Sequence, residues 1–195
     1  MPHKFDPKDL ERLDSEARRK SVDMEAILSL LPLGPGQSVA DIGCGTGFFS
    51  LPLSRALPQG KVYALDIADE MLEVVRQKVQ ENGISNIEVV KSGEMEFPVP
   101  ARAMDGVLLS FVLHEQEDRI GFLKKVRGLL KPSGWLSVIE WQKKEMKMGP
   151  PIAERIDEAG LKDSATRAGF RIVSFQELGE ANYMALLGLG AAQES

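Results

Sequence analysis

Two acids bracket a glycine loop in this chain. Asp41 sits near the end of a short apolar strand formed by Val39, Ala40 and Ile42. Gly43, Gly45 and Gly47 follow at alternate positions, and Asp66 comes nineteen residues after the last of them, closing the stretch KVYAL. Glycines lack a Cβ, so the main chain can turn sharply and a ligand can lie directly on it. A helix leaving such a loop turns its free N–H groups, and the positive end of its dipole, toward that ligand. An acid at the end of the second strand is placed to accept both hydroxyls of a ribose. Strand, glycine loop, helix, strand, acid is the order of a nucleoside-cofactor site.

The spacing discriminates among cofactors. The dinucleotide fingerprint is G-x-G-x-x-G; here the third glycine arrives one residue early. Asp41, two residues before the first glycine, would oppose a pyrophosphate and suit a ligand with a positive amino group. S-adenosylmethionine has that ammonium, a sulfonium, a ribose and no phosphate. VADIGCGTGFFS and VYALDIADEML resemble the first and second motifs of the class I S-adenosylmethionine-dependent methyltransferases, and LLKPSGWLSVIEW is similar to a further stretch of that family. The resemblance covers about residues 20 to 190 and is closest to the small-molecule group that includes the ubiquinone and menaquinone C-methyltransferases. It implies a Rossmann-like, doubly wound α/β sheet, mostly parallel, of seven strands with a C-terminal antiparallel hairpin and helices on both faces. It also implies methyl transfer to a small-molecule acceptor.

Further residues could join that chemistry. Ile67 follows Asp66 where an adenine would lie, and Met71 in the next helix is either core or a cofactor contact. Ser92-Gly93-Glu94-Met95 stands where the resembling family presents backbone N–H and an acid to the adenine edge; Gly93, Glu94 and Met95 are taken as the contacts, although the family's Gly-Asp pair is shifted here. In open parallel sheets ligands bind beyond the carboxyl ends of strands. The end of DGVLLSFVL therefore nominates Ser110 and Phe111 for the cofactor, with His114 and Glu115 as catalytic candidates. Histidine titrates near neutrality and can take a proton if the acceptor must lose one; the alternative role is a pocket-shaping donor. Cys44, the one cysteine, lies between glycines. It is read as a small cofactor-lining residue in preference to a reactive thiol, and a single cysteine excludes an internal disulfide or a multi-cysteine metal site. No metal is expected.

The elements that must carry these residues follow from periodicity. Helices are expected from Ser21 to about Leu31, Gly47 to Leu57, Ala68 to Asn82, Ile120 to Leu130 and Ile152 to Ala168. Strands are expected at Ile87–Lys91, Asp105–Leu113, Trp135–Trp141, Arg171–Glu177 and Asn182–Leu187, the last two as a hairpin. Asp105 is expected to be structural. Residues 143–151, KKEMKMGPP, form a loop that is a lid or a plain connector. The length, 195 residues, favours one domain over 1–195, with 1–20 as an arm that is either solvated or laid over the cofactor mouth. A net charge of −5 and an ordinary apolar fraction of 43% give no footprint for nucleic acid. No apolar run spans a bilayer and no apolar signal core opens the chain, so a cytoplasmic protein is expected. The oligomeric state is open. Two rival functions remain: a non-catalytic S-adenosylmethionine sensor or partner subunit, and a nicotinamide oxidoreductase, against which the early third glycine and Asp41 argue.

Overall fold

The structure, a computed structural model, describes residues 23–190. The expected arm at 1–20, and Ser21 as a helix cap, lie outside the described residues. Two compact units divide the chain at Val99 and Pro100. Strand order over the chain is β3-β2-β1-β4-β5-β7-β6 in a seven-stranded, mostly parallel sheet that ends in an antiparallel hairpin.

The first unit opens with helix α1, Met24–Ser29. Its cap is Asp23, whose Oδ1 accepts from Ala26 N–H at 2.9 Å. Strands β1 (Ser38–Ile42), β2 (Lys61–Asp66) and β3 (Ile87–Lys91) pair in parallel, with Asp41 level with Ala64 and Asp66 level with Lys91. Val39, Ala40, Val62, Ala64 and Leu65 are fully buried. A parallel strand covered on both faces needs such a continuous apolar run. β3 mixes partly buried and exposed positions instead.

Helix α2 is Ser50–Ala56, three residues later than its expected start at Gly47. Gly47 has φ +81°, which a helix cannot hold. Helix α3, Asp69–Glu81, buries Met71, Leu72 and Val75 and ends at Asn82 and Gly83 (φ +61°). Asp69 and Glu70 in its first turn favour the dipole.

In the second unit β4 is Met104–Ser110, shorter than the expected 105–113. Phe111, at φ +60°, breaks the strand, and Leu113–Glu115 form one 3-10 turn. β5, Leu130–Trp141, begins five residues before its expected start. Its register with β4 steps from Met104↔Leu130 to Gly106↔Trp135. Residues 131–134 thus form a bulge within the strand, opposite Asp105. Lys131 Nζ pins it, donating to both Asp105 oxygens at 2.8 Å. Gly106 is required there because a Cβ would sit 2.1 Å from the Trp135 ring.

Helix α4, Arg119–Arg127, is capped by Asp118; helix α5, Glu158–Arg167, is capped by Asp157. The expected start of the latter at Ile152 is displaced, because residues 152–154 form turns and the Asp157 cap fixes the first helical turn after them. β6 (Phe170–Leu178) and β7 (Asn182–Leu189) form the hairpin, and β7 pairs antiparallel with β5 from Trp135↔Gly188 to Trp141↔Asn182. Among the described residues no helix is long and apolar enough to cross a membrane.

Candidate functional site

The glycine loop of the first unit is built by hydrogen bonds reaching back to β2. The N–H groups of Gly43 and Cys44 both donate to the Leu65 carbonyl, at 2.8 and 2.9 Å. Gly45 N–H donates to Asp66 Oδ2 at 2.8 Å, and Ala68 N–H donates to Asp66 Oδ1 at 2.9 Å. Asp66 is thereby fixed between the loop and the start of α3. Each of its oxygens keeps a lone pair for a further donor.

Gly43, Gly45 and Gly47 all have positive φ, at 71°, 52° and 81°. A Cβ on Gly47 would also meet Leu51 Cδ1 at 2.6 Å and Val75 Cγ2 at 3.3 Å. The third glycine therefore serves close packing of α2 and α3 as well as the turn.

Asp41 is 1% exposed, and its Oδ2 accepts from Ser50 Oγ at 2.5 Å. Burial pushes its carboxyl up to about 7; the Ser50 hydroxyl opposes the rise and the charge of Asp66 adds to it. Burial likewise raises Asp66, with the Ala68 and Gly45 N–H groups opposing. Two acids in one buried neighbourhood raise each other's cost of ionisation unless a positive charge joins them. Lys91 offsets part of that cost at Asp66, and a cationic ligand would lower it further; the ammonium and sulfonium of S-adenosylmethionine fit. A pyrophosphate does not. Ser50, which no spacing argument singled out, is the residue that ties Asp41 to α2.

The other expected contacts divide by exposure. Ile67 is 46% exposed beside Asp66 and offers an apolar surface. Met71 is 3% exposed and belongs to the core. Cys44 packs its side chain with Ala64, Leu72 and Val75, so only its backbone can meet a ligand. Burial, then the charges of Asp41 and Asp66, hold its thiol well above the usual value, which makes it unreactive. Ser92 N–H donates to the Asp66 carbonyl at 3.0 Å, which seats the following loop beside the end of β2. Gly93 and Glu94 are exposed there and Met95 is partly buried. Gly93 N–H is spent on the Glu96 carbonyl at 2.9 Å, so it is not a free donor for an adenine edge.

The second unit holds a different cluster. Phe111 N–H donates to the Ile139 carbonyl at 2.8 Å, and its ring lies 5.2 Å from that of Trp141. The Ser110 Oγ is buried without a hydrogen-bond partner. The 3-10 turn then places His114 against Glu140 of β5. His114 backbone N–H donates to Glu140 Oε1 at 3.0 Å, and His114 Nδ1 lies 2.8 Å from Glu140 Oε2. Glu140 is fully buried and His114 is 6% exposed.

Burial works against the imidazolium, but the hydrogen bond and charge of Glu140 outweigh it, with Glu115 and Glu154 adding, so the His114 pKa is raised. Glu115, the other catalytic candidate, ends the same turn and is partly exposed. The carboxylate that holds the ring is Glu140, twenty-six residues away. His114 also lines a cavity of about 540 Å³ with Glu117, Asp118, Arg119, Glu154 and Ser164 among its walls.

Residues 143–151 form the expected loop, held by Arg155. This side chain is 4% exposed and donates to four carbonyls, those of Gln142, Lys144, Met148 and Pro150, at 2.7–3.3 Å. Its guanidinium lies 6.0 Å from the Trp141 ring. Among the described residues no group of three or more His, Cys, Asp or Glu side chains is arranged to hold a metal.

Known proteins place this geometry. The chain is similar over 94% of its length to a SAM-dependent methyltransferase from Aquifex aeolicus, covering 98% of that structure at 34% identity with a TM-score of 0.89. It is 33% identical over 114 residues to the demethylmenaquinone methyltransferase of Listeria welshimeri, 58% of this chain and 48% of the relative. It is 35% identical over 100 residues to that of Geobacillus stearothermophilus, 51% of this chain and 43% of the relative. The chain spans about half the length of these curated relatives. Residues 24–151, which contain the whole glycine cradle, match the model of the ubiE/COQ5 methyltransferase family, and it is to this family that the chain belongs.

Proposed function

We propose that this chain is an S-adenosylmethionine-dependent methyltransferase acting on a small-molecule acceptor. One observation carries the cofactor assignment: Asp41 and Asp66 are buried about a glycine loop, both with raised pKa, and call for a cation. The residues that would hold the cofactor are the backbone of 43–47, Asp66 at the ribose, Ile67 at the adenine with the 93–95 loop beside it, and Asp41 through its charge. When bound, S-adenosylmethionine supplies a methyl group already activated by a positive sulfur. Catalysis by the protein is then alignment and exclusion of water, which can contribute roughly 7–11 kcal/mol in favourable cases. His114 is assigned as the group that takes a proton from the acceptor, with Ser110, Phe111 and Glu115 near it in sequence.

The names of the curated relatives and the absence of a basic surface in the composition support a naphthoquinone-like acceptor over nucleic acid. We place its action in the cytoplasm.

The test is thermal unfolding with S-adenosylmethionine, S-adenosylhomocysteine, NAD or NADP. Ligand at one hundred times its dissociation constant adds about 2.7 kcal/mol, a shift of roughly 5–11 °C for a chain this size. The shift is expected with the first two ligands only and lost in Asp66→Ala. A shift with the nicotinamides alone overturns the assignment. Transfer of labelled methyl to chemically reduced demethylmenaquinone with a short prenyl chain then tests the acceptor. Tight binding with no methylation of this or related hydroxyarenes would favour a sensor.

A further inference from the structure

We infer that Glu140 is a positioning residue for His114: it fixes the imidazole as the Nδ1–H tautomer and leaves Nε2 as the proton-accepting nitrogen. This rests on the proposed function and narrows it to acceptors that give up a proton on methylation, such as a phenol or the ring C–H of a hydroxyarene.

Three observations carry the inference. The two oxygens of Glu140 are both committed to His114, one to its backbone N–H at 3.0 Å and one to Nδ1 at 2.8 Å. A carboxylate that already accepts a backbone N–H is held as the acceptor, so the short contact to Nδ1 is satisfied by a proton on that nitrogen. Glu140 Oε2 also accepts from Trp141 N–H at 3.3 Å, which fixes the carboxylate to its own strand.

The second observation is the main chain before the turn. Phe111, a bulky residue, adopts φ +60°. Such a conformation is unfavourable for an aromatic side chain and clusters at functional sites. Here it ends β4 and starts the turn that delivers His114 N–H to Glu140. The third is burial. A fully buried glutamate at the end of a strand is costly in a structural role that an apolar side chain would fill more easily.

The proton balance is simple. The acceptor's proton passes to His114 Nε2, the ring becomes a cation, and the adjacent Glu140 carboxylate compensates that charge; the proton leaves later to water. Charged groups around the ring are Glu140 from β5, Glu115 from its own turn and Glu154 from the segment before α5, with Glu117, Asp118 and Arg119 on the walls of the same cavity. The negative groups favour the cation formed.

The chain has two histidines, His3 and His114, so nitrogen NMR of the whole protein gives two ring systems to assign. Long-range ¹H–¹⁵N spectra across pH report which nitrogen carries the proton. The expected result for the wild type is His114 protonated at Nδ1, titrating above the ordinary histidine value. Glu140→Gln should move the proton to Nε2 and lower the His114 midpoint by about one pH unit or more. Glu140→Asp, which keeps the charge, should retain the tautomer. In turnover of the reduced demethylmenaquinone probe, Glu140→Gln should lower kcat at least tenfold and shift the pH profile, leaving S-adenosylhomocysteine affinity unchanged.

A wild-type His114 carrying its proton on Nε2, or a folded Glu140→Gln variant with an unaltered tautomer and pH profile, overturns the inference. If Glu140→Gln does not fold, the wild-type spectrum and Glu140→Asp still decide. If the wild type methylates nothing, the function fails while the tautomer still judges Glu140.

Discussion

Replacing Asp41 by Asn should make the ligand-free protein more stable at neutral and alkaline pH while weakening cofactor binding. The Asp41 carboxyl is raised from 3.8 to about 7 by burial. A group whose folded pKa lies above its unfolded value binds more protons in the native state between the two. It contributes stability that is complete below about 4 and lost as pH rises toward 7. Across that span, at about 1.4 kcal/mol per pH unit, the wild type forfeits about 4 kcal/mol above pH 7.

Asparagine escapes that loss. Its carbonyl can still accept from Ser50 Oγ, but its buried amide needs an acceptor and costs about 1–2 kcal/mol. The net gain is about 2–3 kcal/mol at pH 8. Urea unfolding of both proteins from pH 5 to 8 measures it. The stability difference should grow by about 1.4 kcal/mol per pH unit between 5 and 7 and then level off. Equal pH slopes in the two proteins, or a variant less stable at pH 8, would show that Asp41 is not the burdened group. The variant should also show at least tenfold weaker S-adenosylmethionine binding, since the charge that attracts the ammonium is gone.

Three further outcomes are expected. Calorimetry in two buffers of different ionisation enthalpy should show release of about half a proton on cofactor binding at pH 7, with affinity falling about fivefold from pH 7 to 6; proton uptake would contradict the cationic cradle. Gly47→Ala, which meets Leu51 Cδ1 at 2.6 Å at φ +81°, should cost about 2–3 kcal/mol in a urea midpoint. Gly83→Ala, at φ +61° in open space, should cost only about 1 kcal/mol, so equal losses would remove the packing argument. Arg155→Ala should take the side-chain donor from four carbonyls, of which only that of Gln142 keeps another, the Lys144 N–H; it should lower stability by about 2–4 kcal/mol and open residues 143–151 to limited proteolysis, and an uncut loop would mean that other contacts hold it.

The sequence by itself determined the cradle. Asp41, the three glycines, Asp66 and Ile67 lie within one strand–loop–helix–strand unit, where spacing along the chain and position in space are tightly coupled. The same holds for β3, found at its expected residues, and for α3, whose buried face follows the 3.6-residue period. What tertiary structure alone decided are contacts between segments far apart in sequence. Ser50 under Asp41, Glu140 on His114 and Arg155 gathering the 143–151 loop come from side chains meeting across 5 to 26 residues, and no period records such meetings.

The misplaced boundaries have the same cause. Gly47 looked like a helix start, but at φ +81° it belongs to the loop, where a Cβ would meet Leu51 and Val75. Residues 131–134, KPSG, are turn-forming types, but Lys131 and Asp105 keep them in the strand as a bulge. Phe111 gave no sign of a left-handed backbone, because that conformation is imposed by the Ile139 carbonyl and the Trp141 ring rather than by its own propensity. Local chemistry wrote the glycine cradle. Packing between strands chose the carboxylate that holds the histidine.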